Sequence, residues 1–388
     1  MSFLGYRRPD GSVGVRNHVA VISTVMCANE VASRIANQVE GAVSLTHNMG
    51  CGHYIFAPLR PLAGLGKNPN VAAILVVGLG CEVVSAKILA EEIAGSEKPV
   101  ESIVIQEVGG TVKAIKQGVR IAKNMAREVS RLKRQSFDLS NLTLGLECGG
   151  SDTTSGIAAN PAVGRVADMV VNAGGTAILA ETVELIGAEH VLARRAVNEK
   201  VAEEIVKVIR RMEDRMVKSL NLPVDMIAPG NIEGGLSTLE EKSLGDSYKA
   251  GSSPIQGMLE YAEIPTKKGL FIMDEPGYDP ESVTGIVAAG AQIVVFTTGR
   301  GTPLGSPVAP VIKITGNPRT YKTMKDNIDI NAGTIIEGKE TIGEVSKRIY
   351  EKVLRVASGK KTKAEVLGHR ELAIYWAWPI PERMSPHF

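Results

Sequence analysis

At 388 residues the chain exceeds what one hydrophobic core usually fills, so two subdomains or one large elaborated α/β unit are expected. Lys and Arg total 44 against 42 Asp and Glu, and aromatics make up 4%, which argues against a nucleic-acid partner and its need for a basic, aromatic-studded face. Four cysteines make no disulfide framework, no run nears about eighteen apolar residues, and the opening MSFLGYRRPDGSVGVRN is charged where a signal peptide is apolar; a cytoplasmic setting with no membrane partner is expected.

In chain order one pattern repeats: a short β-branched run, a glycine-containing turn, then a helical period. VAVISTVMC (19–27) reads as a strand, and ANEVASRIANQVE after it puts Val31, Ile35 and Val39 on one helical face. AVSLTH (42–47) runs into a glycine turn. VAAILVVGLGCE (71–82) precedes the helical VVSAKILAEEIA, and SIVIQEVGG (102–110) precedes a longer helix. The charged RLKRQSFDLSNL (131–142) breaks the pattern, so an N-terminal α/β subdomain over 1–140 and a C-terminal one over 141–388 are expected. In the second, LTLGLECGG (142–150) and GTAILAETVE (175–184) read as strands, and a long charged helix covers about 189–219. The glycine-rich stretch 228–251 is too polar for a core. GLFIMDEPG (269–277), AQIVVFTTGRG (291–301) and PVIKITGNP (310–318) add three strands before a last helix and a tail with Trp376 and Trp378.

Near-continuous apolar strands alternating with helices predict a Rossmann-like α/β fold, with mostly parallel sheets covered by helices on both faces. Ligands of such sheets collect beyond the carboxyl ends of the strands. Cys27, Cys81 and Cys148 close apolar runs there, and Cys51 lies in the turn after the run that ends in His47. Glu82, Glu107, Glu147, Glu181 and Asp274 hold similar positions. One such cysteine is more often a small core hydrophobe, but all four at strand ends point to a site. Thiolates near imidazole and carboxylates suit iron or zinc better than magnesium. The paired spacing of structural zinc is absent, whereas widely spaced cysteines suit a catalytic iron, mononuclear or within an iron–sulfur cluster. Neither a GxGxxG after the first strand nor a Walker A motif is present.

His47, four residues before Cys51, is a ligand or acid–base candidate, and His53 a weaker one. In GNIEGGLSTLEEKSLG (230–245), STLEE reads as a helix capping box, and Lys242 or a neighbouring Glu as a general base. A lysine serves as a base where partial burial lowers its pKa. TTGRGTPLGSP (297–307) offers hydroxyls, backbone N–H groups and Arg300, suited to a carboxylate or polyol.

Together GYRRPDGSVGVRNHVAVISTVMC, THNMGCG, VVGLGCE, LECGGSDTTSGIAANPAVG, GNIEGGLSTLEEKSLG, FTTGRGTPLGSPVAPVIKITGNP and IDINAG resemble the large, C-terminal part of the altronate/galactarate dehydratase family, from about residue 5 to residue 333. The resemblance implies a hydro-lyase acting on sugar acids such as D-altronate, giving 2-keto-3-deoxy acids, with iron as the metal. On this reading Cys51, Cys81 and Cys148 hold Fe(II), or an iron–sulfur cluster, with Cys27 as a supporting neighbour. Lys242 or His47 acts as base and acid, and Glu241 tunes Lys242. Ser151, Asp152, Asn160, Asn231, Thr298 and Arg300 grip the carboxylate and hydroxyls. Full-length family members carry an extra small N-terminal domain, so a separate small subunit and a homo- or hetero-oligomer are expected. Two alternatives stay open: the large subunit of a (2R)-sulfolactate sulfo-lyase, and a subunit active only with its small partner.

Overall fold

The computed structural model describes residues 2–51, 58–220 and 227–375, without the side chains of 217–220. His53, Trp376 and Trp378 lie outside the described residues. The strands are β1 (Ser2–Arg7), β2 (Val13–Gly14), β3 (His18–Ser23), β4 (Ala42–Leu45), β5 (Val71–Gly78), β6 (Val100–Val104) and β7 (Gln135–Asp138). They continue with β8 (Thr143–Cys148), β9 (Thr176–Leu179), β10 (Ile255–Leu259), β11 (Gly269–Met273), β12 (Ile293–Thr297), β13 (Val311–Thr315) and β14 (Ile330–Asn331).

The fold is α/β with parallel sheets, as the strand pattern predicts, and the strands divide between two of them. One has the order β4-β3-β5-β6 and the other β10-β11-β9-β8-β12-β13-β14. A small antiparallel sheet, β2-β1-β7, joins the beginning of the chain to residues inside the charged break at 131–142. The strand β10 falls in a stretch the hydrophobic pattern leaves unassigned.

Strands buried on both faces alternate between two cores. Along β9, Ala177 and Leu179 face one core while Ile178, and Ala180 just beyond the strand, face the other. The middle layer contains the helices Leu59–Lys67, Ala86–Ala94 and Asp279–Ala288. Their Leu62, Leu65, Leu89, Ile93, Val283 and Ile286 share a core with Ile22 and Ile74 of one sheet and Phe271 and Phe296 of the other. The helices Asn29–Ala36 and Thr111–Val129 cover the outer face of the four-stranded sheet. Asn160–Asn172, Glu199–Leu220 and Ile342–Ala357 cover that of the seven-stranded sheet.

Two buried asparagines fasten the starting ends of the sheets together. Asn68 donates to the carbonyls of Val287 and Ala291, and Asn70 to those of Gln292 and Val308, just ahead of β12 and β13. The carboxyl ends of the strands face away from this junction. Among the described residues no helix is long and apolar enough to cross a membrane.

Candidate active site

Beyond the carboxyl ends of β8 and β9 the chain assembles a buried cluster of ionisable groups. Cys148 ends β8; Glu181 follows β9, and Glu184 sits in the short turn Thr182–Leu185. The helix Leu239–Ser247 and the turn after it bring Lys242, Asp246 and Lys249, spaced i, i+4, i+7 and so on one helical face. The Cys148 thiol lies 3.1 Å from Glu184 Oε2, 3.3 Å from Asp246 Oδ1 and 3.5 Å from Glu181 Oε1. Lys249 Nζ is 2.5 Å from Glu181 Oε2 and 3.8 Å from Asp246 Oδ1. Lys242 pairs with Glu184 and lies 3.7 Å from Asp246 Oδ2.

The backbone around the cluster is unusual. Glu181 has φ of 75°, a left-handed conformation that costs a non-glycine residue on the order of 1–3 kcal/mol and so implies a requirement for that placement. Its carboxylate accepts the Cys148 N–H at 2.8 Å. One turn of π-helix, Ser155–Ala159, leads into the helix Asn160–Asn172, and such turns recur at functional sites.

Electrostatics decide the protonation states. Burial, reinforced by Asp246, Glu181 and Glu184, pushes the Cys148 thiol well above its ordinary pKa. Burial opposes the charge on Lys242 and Lys249, but the surrounding carboxylates outweigh it and hold both as ammoniums. This is the reverse of the lowered lysine pKa expected for a base. Burial raises Asp246 to about 7 despite the pull of Lys249. Glu147, fully buried with no hydrogen-bond partner for either oxygen among the described residues, is pushed well above the carboxylate range by burial and then by Glu181 and Glu275.

The remaining residues singled out in the sequence divide by what they touch. Ser151 Oγ donates to the Cys148 sulfur at 3.6 Å. Asn160 donates to Asp246 Oδ1 at 3.1 Å and accepts from Thr297 Oγ1 at 2.7 Å, which fixes the aspartate. Asn231 donates to the Ser151 carbonyl at 2.9 Å. Asp152 accepts from Thr154, Ser155 and Asn317, and a side chain at position 299 would collide with it; Gly299 leaves that space. Thr298 Oγ1 accepts from Gly301 N, and Arg300 is an exposed rim residue 2.9 Å from Glu233.

Three expectations meet a different arrangement. Glu241 is exposed and bonds the N–H and hydroxyl of Ser237, so it serves the cap of its helix, and Glu184 and Asp246 are the partners of Lys242. His47 accepts from Met49 N through Nδ1 and donates through Nε2 to the Ser23 carbonyl, with burial lowering its pKa to about 4. With both nitrogens committed to backbone it braces two loops. Cys51 and Cys81 are exposed in the segments that follow β4 and β5 of the four-stranded sheet, whereas Cys148 is fully buried among carboxylates at the end of β8 in the other. Among the described residues neither Cys51 nor Cys81 belongs to a close group of three ligand atoms. Sequence reasoning did not single out Glu184, Asp246 or Lys249.

The group that does form a candidate metal centre is Cys148, Glu184 and Asp246, whose ligand atoms lie within 4.8 Å of one another. Among the described residues Asp246 Oδ2 is buried without a hydrogen-bond partner. One sulfur and two carboxylates suit divalent iron or zinc, so the donors fit the iron that the resemblance implies.

Two family models match the chain. The model of the second domain of D-galactarate dehydratase/altronate hydrolase matches residues 5–130, and that of the C-terminal part of D-galactarate/altronate dehydratase matches residues 139–380. The chain is 39% identical to the (2R)-sulfolactate sulfo-lyase subunit beta of Chromohalobacter salexigens, covering 96% of this chain and 97% of that protein. It is 36% identical to an altronate dehydratase of Bacillus subtilis, over 96% of this chain and 77% of that one. It is 35% identical to the L-threo-forming galactarate dehydratase of Escherichia coli, over 98% and 77% respectively. The chain therefore belongs to the D-galactarate/altronate dehydratase family and is a lyase.

Proposed function

We propose that the protein dehydrates an aldonate or aldarate such as D-altronate to a 2-keto-3-deoxy acid. The observation that carries this reading is the ring of three carboxylates and two ammoniums around Cys148, beyond the strand ends of a chain that belongs to a dehydratase family. Removing the C2 proton of such a substrate builds a second negative charge beside its carboxylate, which fixed positive charges must stabilise. Lys242 and Lys249 are the protonated groups at hand. Glu181, outside the metal-ligand group and held on a strained backbone, takes the C2 proton. Lys242 gives a proton to the C3 hydroxyl, which departs as water. Ser151, Asn160 and Asn231 form the floor with Asp152 and Thr298 beside them, and Arg300 exchanges Glu233 for the substrate carboxylate. An iron held by Cys148, Glu184 and Asp246 would supply Lewis-acid polarisation of the substrate oxygens when bound.

A panel of aldonates and aldarates with added Fe(II), read by the 2-keto-3-deoxy acid formed, tests the proposal. Turnover of none of them sinks it, and full turnover by metal-free protein removes the iron. A second reading is favoured by the nearly end-to-end match to the sulfo-lyase subunit beta. There the same C2 deprotonation would expel sulfite from (2R)-sulfolactate, with a separate small subunit in a hetero-oligomer. Parallel assays for sulfite, with and without such a partner, separate the two.

A further inference from the structure

Three of the four cysteines take no part in the cluster around Cys148. In the four-stranded sheet β4, β3 and β5 are adjacent, and the segment after each carries one cysteine: Cys51, Cys27 and Cys81. All three are exposed. Free cysteine is among the most buried residue types, so packing does not account for three exposed thiols on one sheet edge. The segments are tied to one another. Met26 N donates to the Met49 carbonyl at 2.9 Å, and Val83 N to the Cys51 carbonyl at 3.1 Å. The Glu82 carboxylate accepts the N–H groups of Leu79, Gly80 and Cys81 and the hydroxyl of Thr24, joining the segments after β3 and β5.

We infer that Cys27, Cys51 and Cys81 form a three-thiolate seat for a four-iron, four-sulfur cluster, one iron of which keeps a position without a protein ligand. Adjacent strands lie about 4.8 Å apart, so three successive strand ends span roughly two such spacings. That width suits thiolates bound to different irons of one cluster, not thiolates sharing one ion. Thiolates are the ligands that select iron–sulfur clusters. Cys148 is excluded as a fourth ligand by its burial among Glu181, Glu184 and Asp246. Loading is a ligand exchange: three cysteine thiols replace three small thiolates on a cluster, each passing its proton to the thiolate it displaces, with no change in iron oxidation state. The site is argued from the thiols alone and stands apart from the sugar-acid reading.

The full chain is mixed anaerobically with a synthetic four-iron, four-sulfur cluster ligated by 2-mercaptoethanol thiolates, then desalted. About four iron and four sulfide per chain should remain, with the visible absorption of the cluster and, after dithionite reduction, its electron paramagnetic resonance signal. C27S, C51S and C81S should each retain at least tenfold less, while C148S retains the parent amount. Thermal melting of the cluster-free variants shows whether a loss reflects misfolding. A second measurement needs no variant: the loaded protein should resist iodoacetamide at residues 27, 51 and 81, by peptide mass spectrometry, and the cluster-free protein should not. Parent protein that retains no cluster, single variants that retain all of it, or a C148S protein that loses it would overturn the inference. The dehydratase assay on the same samples is read separately, so failure of the substrate reading leaves this result standing.

Discussion

The Glu181–Lys249 pair is buried at 1% exposure on both sides, and its two members depend on each other. Removing one partner of such a pair leaves an uncompensated charge, at a cost of about 3 kcal/mol. Lys249→Met should therefore lower the unfolding free energy measured by urea titration by that amount, and adding Glu181→Gln should recover part of it in a double-mutant cycle. If the two losses simply add, the pair is not coupled. His47 gives a second test, through pH. Its folded pKa of about 4 lies below the ordinary 6.5, so the unfolded chain binds more protons between those values. The neutral ring's contribution is complete above pH 6.5 and is lost as pH falls toward 4, up to about 3 kcal/mol. His47→Gln removes this slope, so the parent's extra loss of stability between pH 7.5 and 5 should shrink in the variant. Equal slopes would mean that the ring is not buried neutral. Cys148 and Lys242 could be singled out in the sequence as candidates because strand ends and polar glycine loops are local signals. Lys249 and Asp246 could not, because nothing local announces which carboxylates a helix will meet across the fold.

The helix Leu239–Ser247 and the turn Tyr248–Ala250 deliver Lys242, Asp246 and Lys249 to the cluster, and the helix Asn160–Asn172 sets their depth. Contact between them is close because Gly164 packs against the Tyr248 carbonyl, where a β-carbon would collide with backbone. Gly164→Ala should force the elements apart, lower stability by about 2 kcal/mol and reduce kcat more than KM, since Lys249 and Asp246 move with the turn. An unchanged kcat in folded variant would detach that contact from the site. At this scale STLEE was readable as a cap, and the structure uses Glu241 for that purpose. The π-turn before Asn160 left no trace in the hydrophobic pattern, since one extra residue per turn changes no residue type.

At the scale of the molecule, alternation of apolar runs and helices predicts parallel sheets, but not how many. Which strands pair is settled by contacts far apart in the chain, as between β1 and β7 or between Asn70 and the residues before β12 and β13. Asn70 is fully buried and joins three segments: its Oδ1 accepts Val15 N at 2.8 Å and Arg16 N at 3.2 Å, and its Nδ2 donates to Gln292 O and Val308 O. Asn70→Leu keeps the branched shape and strips these groups of their partner. Buried polar groups left unpaired cost about 1–3 kcal/mol each, so a total loss near 3 kcal/mol is a conservative expectation even after relaxation. The loss should fall unevenly. Asn70 stands at the start of β5 and fastens the four-stranded sheet to the seven-stranded one, so native-state hydrogen exchange reports on the fastening. In the parent, amides of Leu75 in β5 and Val295 in β12 should exchange through the same global opening. In the variant Leu75 should open at lower free energy than Val295, because the smaller sheet can then unfold while the larger keeps its own core. Equal protection of the two amides in the variant would show that the shared middle layer of helices, and not the asparagine junction, couples the sheets.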